Sequence, residues 1–295
     1  MNKVHRPILI FGATGRQGGS VAKALLKVRW PIRALVQDPF EPASVALREA
    51  GAELVQGSLE DAEVIAGAMK DTYGVFSVMP ANLSAEDEVR YGTRVADLAL
   101  RSHVDHFIYS SGASAGDELT GVPRFDAKPR IEAYIRELPL AATIIRPMIF
   151  MDMLVRPGFG LDEGRLVSLI HRNHSIQLTA VQDIGKIVAA MFLDKARFAG
   201  KTLKIASDRV TGRELEAVFS EAAGLPIKYF RFPDEVLSSN ADLAHMASSL
   251  QDGPLSEQVD LDLMREINPE LVSLRTWLMG VGRDKLEESL RRKHT

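Results

Sequence analysis

The feature that most constrains the fold is the stretch ILIFGATGRQGG at residues 8–19, where an apolar run leads into closely spaced glycines. The apolar run Ile8–Phe11 predicts a buried strand, and the amphipathic run from Gln17 to Val28 predicts a helix. The turn between them holds three glycines spaced three apart, Gly12, Gly15 and Gly18. Such a turn lets a helix N-terminus and free backbone N–H groups face a phosphate. The alternative interpretation is a tight turn with no ligand.

The first half of the chain repeats this alternation of strand and helix. Further strands are predicted at Ile32–Val36, Glu53–Gln56, Val75–Met79, His106–Ser110 and Ala142–Ile145. The intervening helices are predicted at Pro42–Ala50, Ala62–Met69, Ser84 to Arg101 and Ala127–Glu137. Strands that alternate with helices at this spacing form βαβ units and a parallel sheet. The predicted fold class is therefore α/β, with a Rossmann-type doubly wound parallel sheet.

The alternation loosens after Phe150, where residues 156–179 look like loop with short elements. Beyond it, Thr211 and Glu214 form a capping box that starts a helix, and Gly224 can end it. A chain of 295 residues suits one large and one smaller domain. We expect a Rossmann domain over 1–152, rejoined by 180–207. A smaller α+β C-terminal domain would hold 153–179 and 208–295.

Composition excludes several classes of function. The chain has no cysteine, which rules out disulfides, thiol catalysis and thiolate metal sites. Its net charge of −3 shows no basic excess for nucleic acid, and the basic cluster Arg291, Arg292 and Lys293 is interpreted as a solvated tail. His171 and His174 indicate a loop pair rather than a metal site. Without a signal-like or membrane-length apolar run, we expect a cytoplasmic protein without metal.

The end of the second predicted strand bears on which dinucleotide would bind. An acidic residue there would bind the ribose 2′-hydroxyl of NAD, whereas a nearby Arg would accommodate the 2′-phosphate of NADP. The strand ends at Gln37, and Asp38 before Pro39 is expected to belong to the turn. Arg16 in the glycine loop could reach a 2′-phosphate. The residues therefore favour NADP(H) over NAD(H).

Four segments together resemble the NmrA-like family, an atypical branch of the short-chain dehydrogenase/reductase superfamily: GATGRQGGSVAKAL, IRALVQDP, GAELVQGSLED and NPELVSLRTWL. The resemblance runs from Ile8 to about Leu278. It implies a Rossmann domain, a smaller C-terminal domain, a cleft between them and binding of NADP or NAD.

The resemblance also implies which positions contact the dinucleotide. These are Gly12, Ala13, Thr14, Gly15, Arg16, Gln17, Gly18, Gln37, Ser58, Leu59, Met79, Pro80, Ala81, Lys128, Phe150 and Asp152. Lys128 matches a family lysine near the nicotinamide ribose. Three positions depart from the family pattern: Gln37 replaces an Arg that NADP-binding members often have, Ser58 replaces an Asp, and Asp152 replaces a frequent Asn.

The superfamily's usual Tyr-x-x-x-Lys pair is missing from the sequence. No tyrosine has a lysine four residues after it, and Arg124 stands four residues before Lys128. Arginine stays protonated and cannot act as the acid. Ser110 and Ser111 end the fifth predicted strand, where such sheets bind ligands.

Two functions follow from the resemblance. The protein binds the dinucleotide as a redox sensor that acts through a partner protein, as NmrA-type regulators are thought to do. Alternatively, it is a reductase of the quinone-oxidoreductase or isoflavone-reductase-like kind, in which the nicotinamide delivers hydride directly to a small carbonyl or quinone. In that case Lys128 would bind the ribose and act in proton transfer. The missing tyrosine favours the sensor. A third possibility is a scaffold that binds no nucleotide.

Overall fold

The computed structural model describes residues 6–116 and 118–291, so Arg292 and Lys293 of the basic tail lie outside the described residues. Two compact units divide the chain. The first holds the residues up to Arg146 together with Val181–Lys204, and the second holds Pro147–Ala180 and the residues from Ile205 onward. Within the described ranges, no helix combines the length and apolar character needed to cross a membrane.

The helices and strands alternate in the first unit and are shorter in the second. The strands are β1 (Ile8–Ile10), β2 (Ile32–Val36), β3 (Glu53–Gln56), β4 (Gly74–Val78), β5 (His106–Ser110), β6 (Ala142–Pro147), β7 (Ile149–Phe150), β8 (Arg165–Ser168), β9 (Ser175–Thr179), β10 (Thr202–Ile205), β11 (Asp208–Thr211) and β12 (Lys228–Arg231). The helices are α1 (Arg16–Lys27), α2 (Pro42–Glu49), α3 (Ala62–Met69), α4 (Ala85–Arg101), α5 (Pro123–Glu137), α6 (Met151–Leu154), α7 (Val181–Leu193), α8 (Lys195–Phe198), α9 (Gly212–Ala223), α10 (Asp234–Ser239), α11 (Ala241–Gln251), α12 (Leu261–Ile267), α13 (Leu274–Met279) and α14 (Arg283–Arg291).

A seven-stranded sheet forms the centre of the first unit, in the order β10-β6-β5-β4-β1-β2-β3. The pairs that link β6 through to β3 are all parallel. The chain first winds from β1 to β3 in one direction and then from β4 to β6 in the other. This is the doubly wound arrangement of a Rossmann sheet, so the predicted fold class is confirmed.

Both faces of this sheet are covered by apolar packing. One face carries a buried cluster that includes Leu9, Phe11 and Phe107. Helix α4 approaches α5 so closely that a Cβ on Gly92 would lie 2.6 Å from Ile131 Cδ1. Parallel strands buried on both faces explain the uninterrupted apolar runs of the sequence.

Two helix boundaries were predicted from capping residues and are confirmed. The Ser84 hydroxyl accepts a hydrogen bond from the Asp87 N–H at 3.1 Å at the start of α4. Thr211 and Glu214 form the reciprocal capping box of α9, and Gly224 ends that helix with φ 66°. Each side chain satisfies an N–H group that has no partner within its helix.

The second unit contains a three-stranded sheet, β11-β9-β7, and a two-stranded sheet, β12-β8. The stretch 156–179, expected to be loop with short elements, supplies the short strands β8 and β9. Strand β9 is fixed by the buried side chain of Gln177, which donates to the Glu257 carbonyl and accepts from the Val259 N–H, both at 2.6 Å. Partners 80 or more residues away in sequence explain why the local pattern gave so little sign of β9.

His106 begins β5 and is completely buried. Its Nε2 lies 2.8 Å from the Thr143 hydroxyl, which itself donates to the Phe198 carbonyl at 2.9 Å. The hydroxyl therefore accepts from Nε2–H, and Nδ1 has no hydrogen-bond partner among the described residues. Burial, assisted by the charge of Lys195, lowers the pKa of His106 from 6.5 to about 4.

We expect this imidazole to make the fold sensitive to acid. Because the folded-state pKa is lower than the unfolded-state pKa, the unfolded chain gains a proton first as the pH falls below 6.5. Stability is retained above that pH and lost toward pH 4, by about 3 kcal/mol for a shift of this size. Urea unfolding of His106→Leu should show a correspondingly smaller loss between neutral pH and pH 4.

The matched control is His103→Asn, which removes an exposed histidine three residues earlier. Asparagine tolerates the positive φ of 53° at this position. This variant should keep the acid sensitivity of the parent chain. An unchanged acid response in His106→Leu would contradict the assignment.

Candidate functional site

The strand order reverses between β1 and β4, and the glycine turn lies at that point. Gly12 leaves β1 with φ +65°, a conformation that glycine adopts without strain. The Gly15 N–H then donates to the Gly12 carbonyl at 2.9 Å. A Cβ on Gly18 would lie 2.3 Å from that same carbonyl oxygen. The third glycine therefore allows α1 to begin directly against the turn.

The start of α1 is suited to an anion. Gly15 is its N-cap, no side chain caps it, and its first turn holds no acidic residue. The first N–H groups of a helix lack partners within the helix and carry a partial positive charge. Thr14 and Arg16 are exposed here, and Arg16 has no hydrogen bond or ion pair within the described part of the chain. The turn thus presents N–H groups, a hydroxyl and a guanidinium to solvent.

Two other residues of the turn face the protein. Ala13 is buried, and the Gln17 side chain accepts a hydrogen bond from the Ser110 hydroxyl at 2.8 Å. This bond joins the start of α1 to the end of β5. The backbone N–H of Gln17 still belongs to the first turn, so its contribution to anion binding would come from the main chain.

A cavity of about 480 Å³ opens beside the turn, within the first unit. It lies at the carboxyl ends of β1 to β4. Its lining residues are Phe11, Gly12, Thr14, Leu35, Val36, Gln37, Glu41, Ser44, Gly57, Ser58, Leu59, Glu60, Val78, Pro80, Asn82, Leu83 and Tyr91. The lining therefore combines apolar strand ends with a few polar groups, as small-molecule sites do.

The part of the cavity near β2 is polar but carries an acid. Gln37 follows the strand and is exposed, while Asp38 accepts the Phe40 N–H at 2.8 Å and so belongs to the turn, as predicted. Ser44 is 1% exposed, and its hydroxyl has no hydrogen-bond partner among the described residues. Glu41, at the start of α2, adds a carboxylate to the lining.

The wall near β3 is fixed by side chains of α4. The N–H and hydroxyl of Ser58 both donate to the Asp61 carboxylate at 3.0 Å, so the Ser58 hydroxyl is already engaged. Glu60 accepts from the Tyr91 hydroxyl at 2.9 Å, and Arg94 donates to the Leu59 carbonyl at 3.4 Å. Ser58 and Leu59 are predicted from the sequence, whereas Glu60 and Tyr91 join this wall only through the fold.

The residues after β4 fall into two groups. Pro80 lines the cavity, whereas the Met79 side chain is buried in the hydrophobic cluster between the sheet and its helices. Ala81 is exposed and is not among the lining residues. Of these three predicted contacts, the structure brings Pro80 to the cavity wall and turns the Met79 side chain into the core.

Lys128 lies in the second turn of α5, at the carboxyl end of β5. Its ammonium forms an ion pair with Glu88 from the first turn of α4, and its stem crosses Gly112. Arg124, one turn earlier, is exposed, with its guanidinium 4.7 Å from the centre of the Phe125 ring. The predicted lysine is therefore held by a carboxylate that the sequence analysis did not identify.

Helix α5 is itself fixed at two points. Arg146 donates to the buried Glu132 carboxylate through Nε at 2.9 Å and through a terminal nitrogen at 2.7 Å. Asp126 accepts from the N–H and hydroxyl of Thr120 and from the Gly121 N–H, at 2.7 to 2.9 Å. These contacts fix the rotation of α5 and hence the direction of Lys128.

Phe150 and Asp152 belong to the second unit. Phe150 is half-buried at the end of β7. Asp152 is 8% exposed, and its carboxylate forms an ion pair with Lys285 of α14. The Ser289 hydroxyl, one turn along α14, donates to the Val155 carbonyl. In the structure Asp152 therefore helps to bind α14 to α6.

None of the tyrosines described is an exposed proton donor beside Lys128. Tyr109 is fully buried, and its pKa is raised well above 10 by burial and by the charges of Glu88 and Glu132. The other four hydroxyls donate to protein acceptors: Tyr73 to the Phe192 carbonyl, Tyr91 to Glu60, Tyr134 to Asp97 and Tyr229 to the Ile170 carbonyl.

His171 and His174 lie in a loop of the second unit with their ring centres 5.5 Å apart. Across the described residues, no group of three or more histidine or acidic side chains is placed to hold a metal ion. Ser111, at the end of β5, is buried with no partner for its hydroxyl among those residues.

Comparison with known proteins identifies a family to which this chain is similar. The profile of the NmrA-like family matches residues 5–273. An NmrA-like family domain-containing oxidoreductase from Aspergillus hancockii, hkm9, is 30% identical over 253 residues, covering 76% of this chain and 74% of its own.

Solved structures share the fold. NmrA, a negative transcriptional regulator, superposes in its NADP complex with a TM-score of 0.79 at 20% identity, covering 97% of this chain and 98% of its own. Its NAD complex gives a TM-score of 0.78 at 19% identity, with the same coverage. The Citrobacter triphenylmethane reductase complexed with NADP(H) gives 0.76 at 18% identity, covering 96% of this chain and 100% of its own.

The space around Gly18 and Gly67 predicts opposite effects when each is replaced by alanine. Gly18→Ala would place a methyl group against main-chain atoms and should lower the free energy of unfolding by about 1–3 kcal/mol. Gly67 lies inside α3, and the Cβ added by Gly67→Ala would have no atom within 4 Å. It should raise that free energy by about 0.5–1 kcal/mol. Thermal and urea unfolding of both variants would test this, and a neutral Gly18→Ala would contradict the close approach.

Proposed function

Since the chain belongs to the NmrA-like family, we propose that its first unit binds a nicotinamide dinucleotide and that the protein senses this ligand rather than consuming it. Resemblance to this family, predicted from four sequence segments, is confirmed by the match to residues 5–273. The observation that carries the proposal is the glycine turn, which places the start of α1 beside a cavity of about 480 Å³.

The residues of the cavity fit such a ligand. The uncapped start of α1 suits the pyrophosphate. The buried Ser44 hydroxyl, without a partner among the described residues, can donate to a ligand oxygen. Apolar side chains from the ends of β2 and β4 can pack against the adenosine. NAD and NADP complexes of the similar NmrA support the same ligand class.

We assign NADP(H) as the favoured form. Arg16 is exposed at the turn, has no partner in the described chain, and can pair with a 2′-phosphate. Gln37 and Ser44 line the cavity and add donors there, whereas Glu41 in the same lining opposes a phosphate by its charge. A guanidinium that forms charge-assisted hydrogen bonds outweighs one exposed carboxylate at the rim.

The environment of Lys128 supports sensing. A bound nicotinamide supplies hydride transfer, and a carbonyl reduction also needs a proton donor. Arg124 cannot supply that proton, and the described tyrosines are buried or engaged. Lys128 would bind ribose hydroxyls through its ammonium.

As a sensor, the protein would act in the cytoplasm through a partner protein rather than through nucleic acid. A net charge of −3 suits this role. The alternative is an NADPH-dependent reductase acting on a small carbonyl or quinone. The oxidoreductase name of hkm9 and the similarity to triphenylmethane reductase favour that second candidate.

Cofactor preference is testable by titration. NADP and NADPH should bind more tightly than NAD and NADH, measured by calorimetry or by quenching of protein fluorescence. Arg16→Ala should weaken NADPH binding by about tenfold, which is typical of a charge-assisted contact, and NADH binding far less. Glu41→Gln should tighten NADPH binding by about threefold.

Lys23→Ala provides the control for Arg16, because it removes an exposed positive charge from the same helix. It should leave all four affinities unchanged. Equal losses for NADPH and NADH in Arg16→Ala would mean that Arg16 does not read the 2′-phosphate.

Turnover distinguishes the sensor from the reductase. NADPH should be bound but not oxidised when the protein is mixed with a panel of small quinones, enals and triphenylmethane dyes. The absorbance of the reduced nicotinamide measures the oxidation. Oxidation that is abolished in Lys128→Ala would establish the reductase instead. If neither NADPH nor NADH binds, the protein is a scaffold and the whole proposal fails.

A further inference from the structure

The ion pair between Lys128 and Glu88 joins two helices of the first unit that are 40 residues apart in sequence. The Glu88 side chain is only 12% exposed, and that of Lys128 is 33% exposed. Partial burial removes much of the water that would otherwise screen the two charges. The attraction within this pair is therefore screened less by solvent than that of the more exposed pairs Arg6–Asp105 and Arg90–Asp87.

The path of the lysine stem is also restricted. Lys128 Cδ and Cε pass above Gly112, where an added Cβ would lie 3.3 Å and 3.7 Å from them. Gly112 thus leaves room for the stem to lie flat across the end of β5. A free lysine side chain samples many rotamers, and a stem confined at both ends has already lost much of that freedom.

Groups from α4, α5 and β5 surround Glu88. It lies in the first turn of α4 beside Glu86 and Asp87, where the helix dipole favours anions. The other groups that face it are Lys128 from α5 and the protonated phenol of Tyr109 from β5, which senses the Glu88 charge. The carboxylate accepts one hydrogen of the ammonium, and the other two remain free to donate.

We propose that Glu88 is the positioning residue of Lys128. Its carboxylate holds the ammonium across Gly112 so that the two remaining N–H groups meet the hydroxyls of the nicotinamide-side ribose. This inference rests on the proposed function, since it requires the dinucleotide site. It goes further by assigning the affinity for the nicotinamide half of the ligand to a residue on α4.

The test compares two ligands that share the adenosine half. NADPH contains the nicotinamide ribose, and adenosine 2′,5′-bisphosphate does not. Glu88→Gln should weaken NADPH binding about three- to tenfold, because a preorganised donor is lost. Binding of the bisphosphate should stay within about twofold, since adenosine contacts are unchanged. Both affinities are measured by calorimetry on the full chain.

Two controls separate positioning from general damage. Glu86→Gln removes a charge from the same helix turn at an exposed position without contact to Lys128, and should change neither affinity. Lys128→Met should weaken NADPH binding, and adding Glu88→Gln to it should cause no further loss. A purely structural role of Glu88 would persist in the Lys128→Met background.

Three further outcomes would overturn the inference. Equal weakening of both ligands would show distortion of the whole site, and unchanged NADPH binding would show that Glu88 is not needed. Tighter NADPH binding in Glu88→Gln would show that Glu88 competes with the ribose for Lys128. A parent chain that binds neither ligand would refute the proposed function itself, and this is seen before any variant is made.

Discussion

The close approach between the turn after β1 and the start of α1 is the constraint on which the first unit depends. A Cβ on Gly18 would lie 2.3 Å from the Gly12 carbonyl oxygen, so any other residue would push the helix away from the sheet. Helix α7 meets α1 in the same manner, because a Cβ on Gly185 would lie 2.3 Å from the Ser20 carbonyl oxygen. With α1 fixed on two sides, its free N–H groups stay at the carboxyl edge of the sheet and need no rearrangement to receive phosphates.

A buried ion pair fixes the position of α5 in a similar way. Glu132 is completely buried and receives two hydrogen bonds from Arg146 at the end of β6. Breaking such a pair leaves an uncompensated charge and typically costs about 3–5 kcal/mol, whereas an exposed pair is worth about 0–1 kcal/mol. Lys128 lies one turn before Glu132 on the same face of α5. The strong pair therefore sets the rotation of the helix, and the weaker pair with Glu88 sets the direction of the lysine.

The parts of this structure that sequence predicted are those governed by local rules. Apolar runs, glycine spacing and capping residues act within a few positions, so the parallel sheet, the α1 turn and the starts of α4 and α9 were predicted. The Gln17–Ser110 and Lys128–Glu88 contacts span 93 and 40 residues, and no local pattern announces them. Ser44 was detectable in principle, because it shares the buried face of α2 with Leu47, three residues on. For Met79 the sequence predicts the position at the end of the fourth strand but not the direction of the side chain, which packs in the core.

Binding and proton transfer make different demands on Lys128, and its surroundings meet only one of them well. A ribose-binding lysine must be held in place, which the ion pair with Glu88 and the space above Gly112 both favour. A lysine that gave up its proton would leave Glu88 without a counter-charge at a position only 12% exposed to solvent. An unpaired carboxylate that is largely buried is strongly unfavourable. In the proposed function, this pair would strengthen dinucleotide binding and would be lost if Lys128 gave up its proton, which is why we propose recognition of the ligand rather than its consumption.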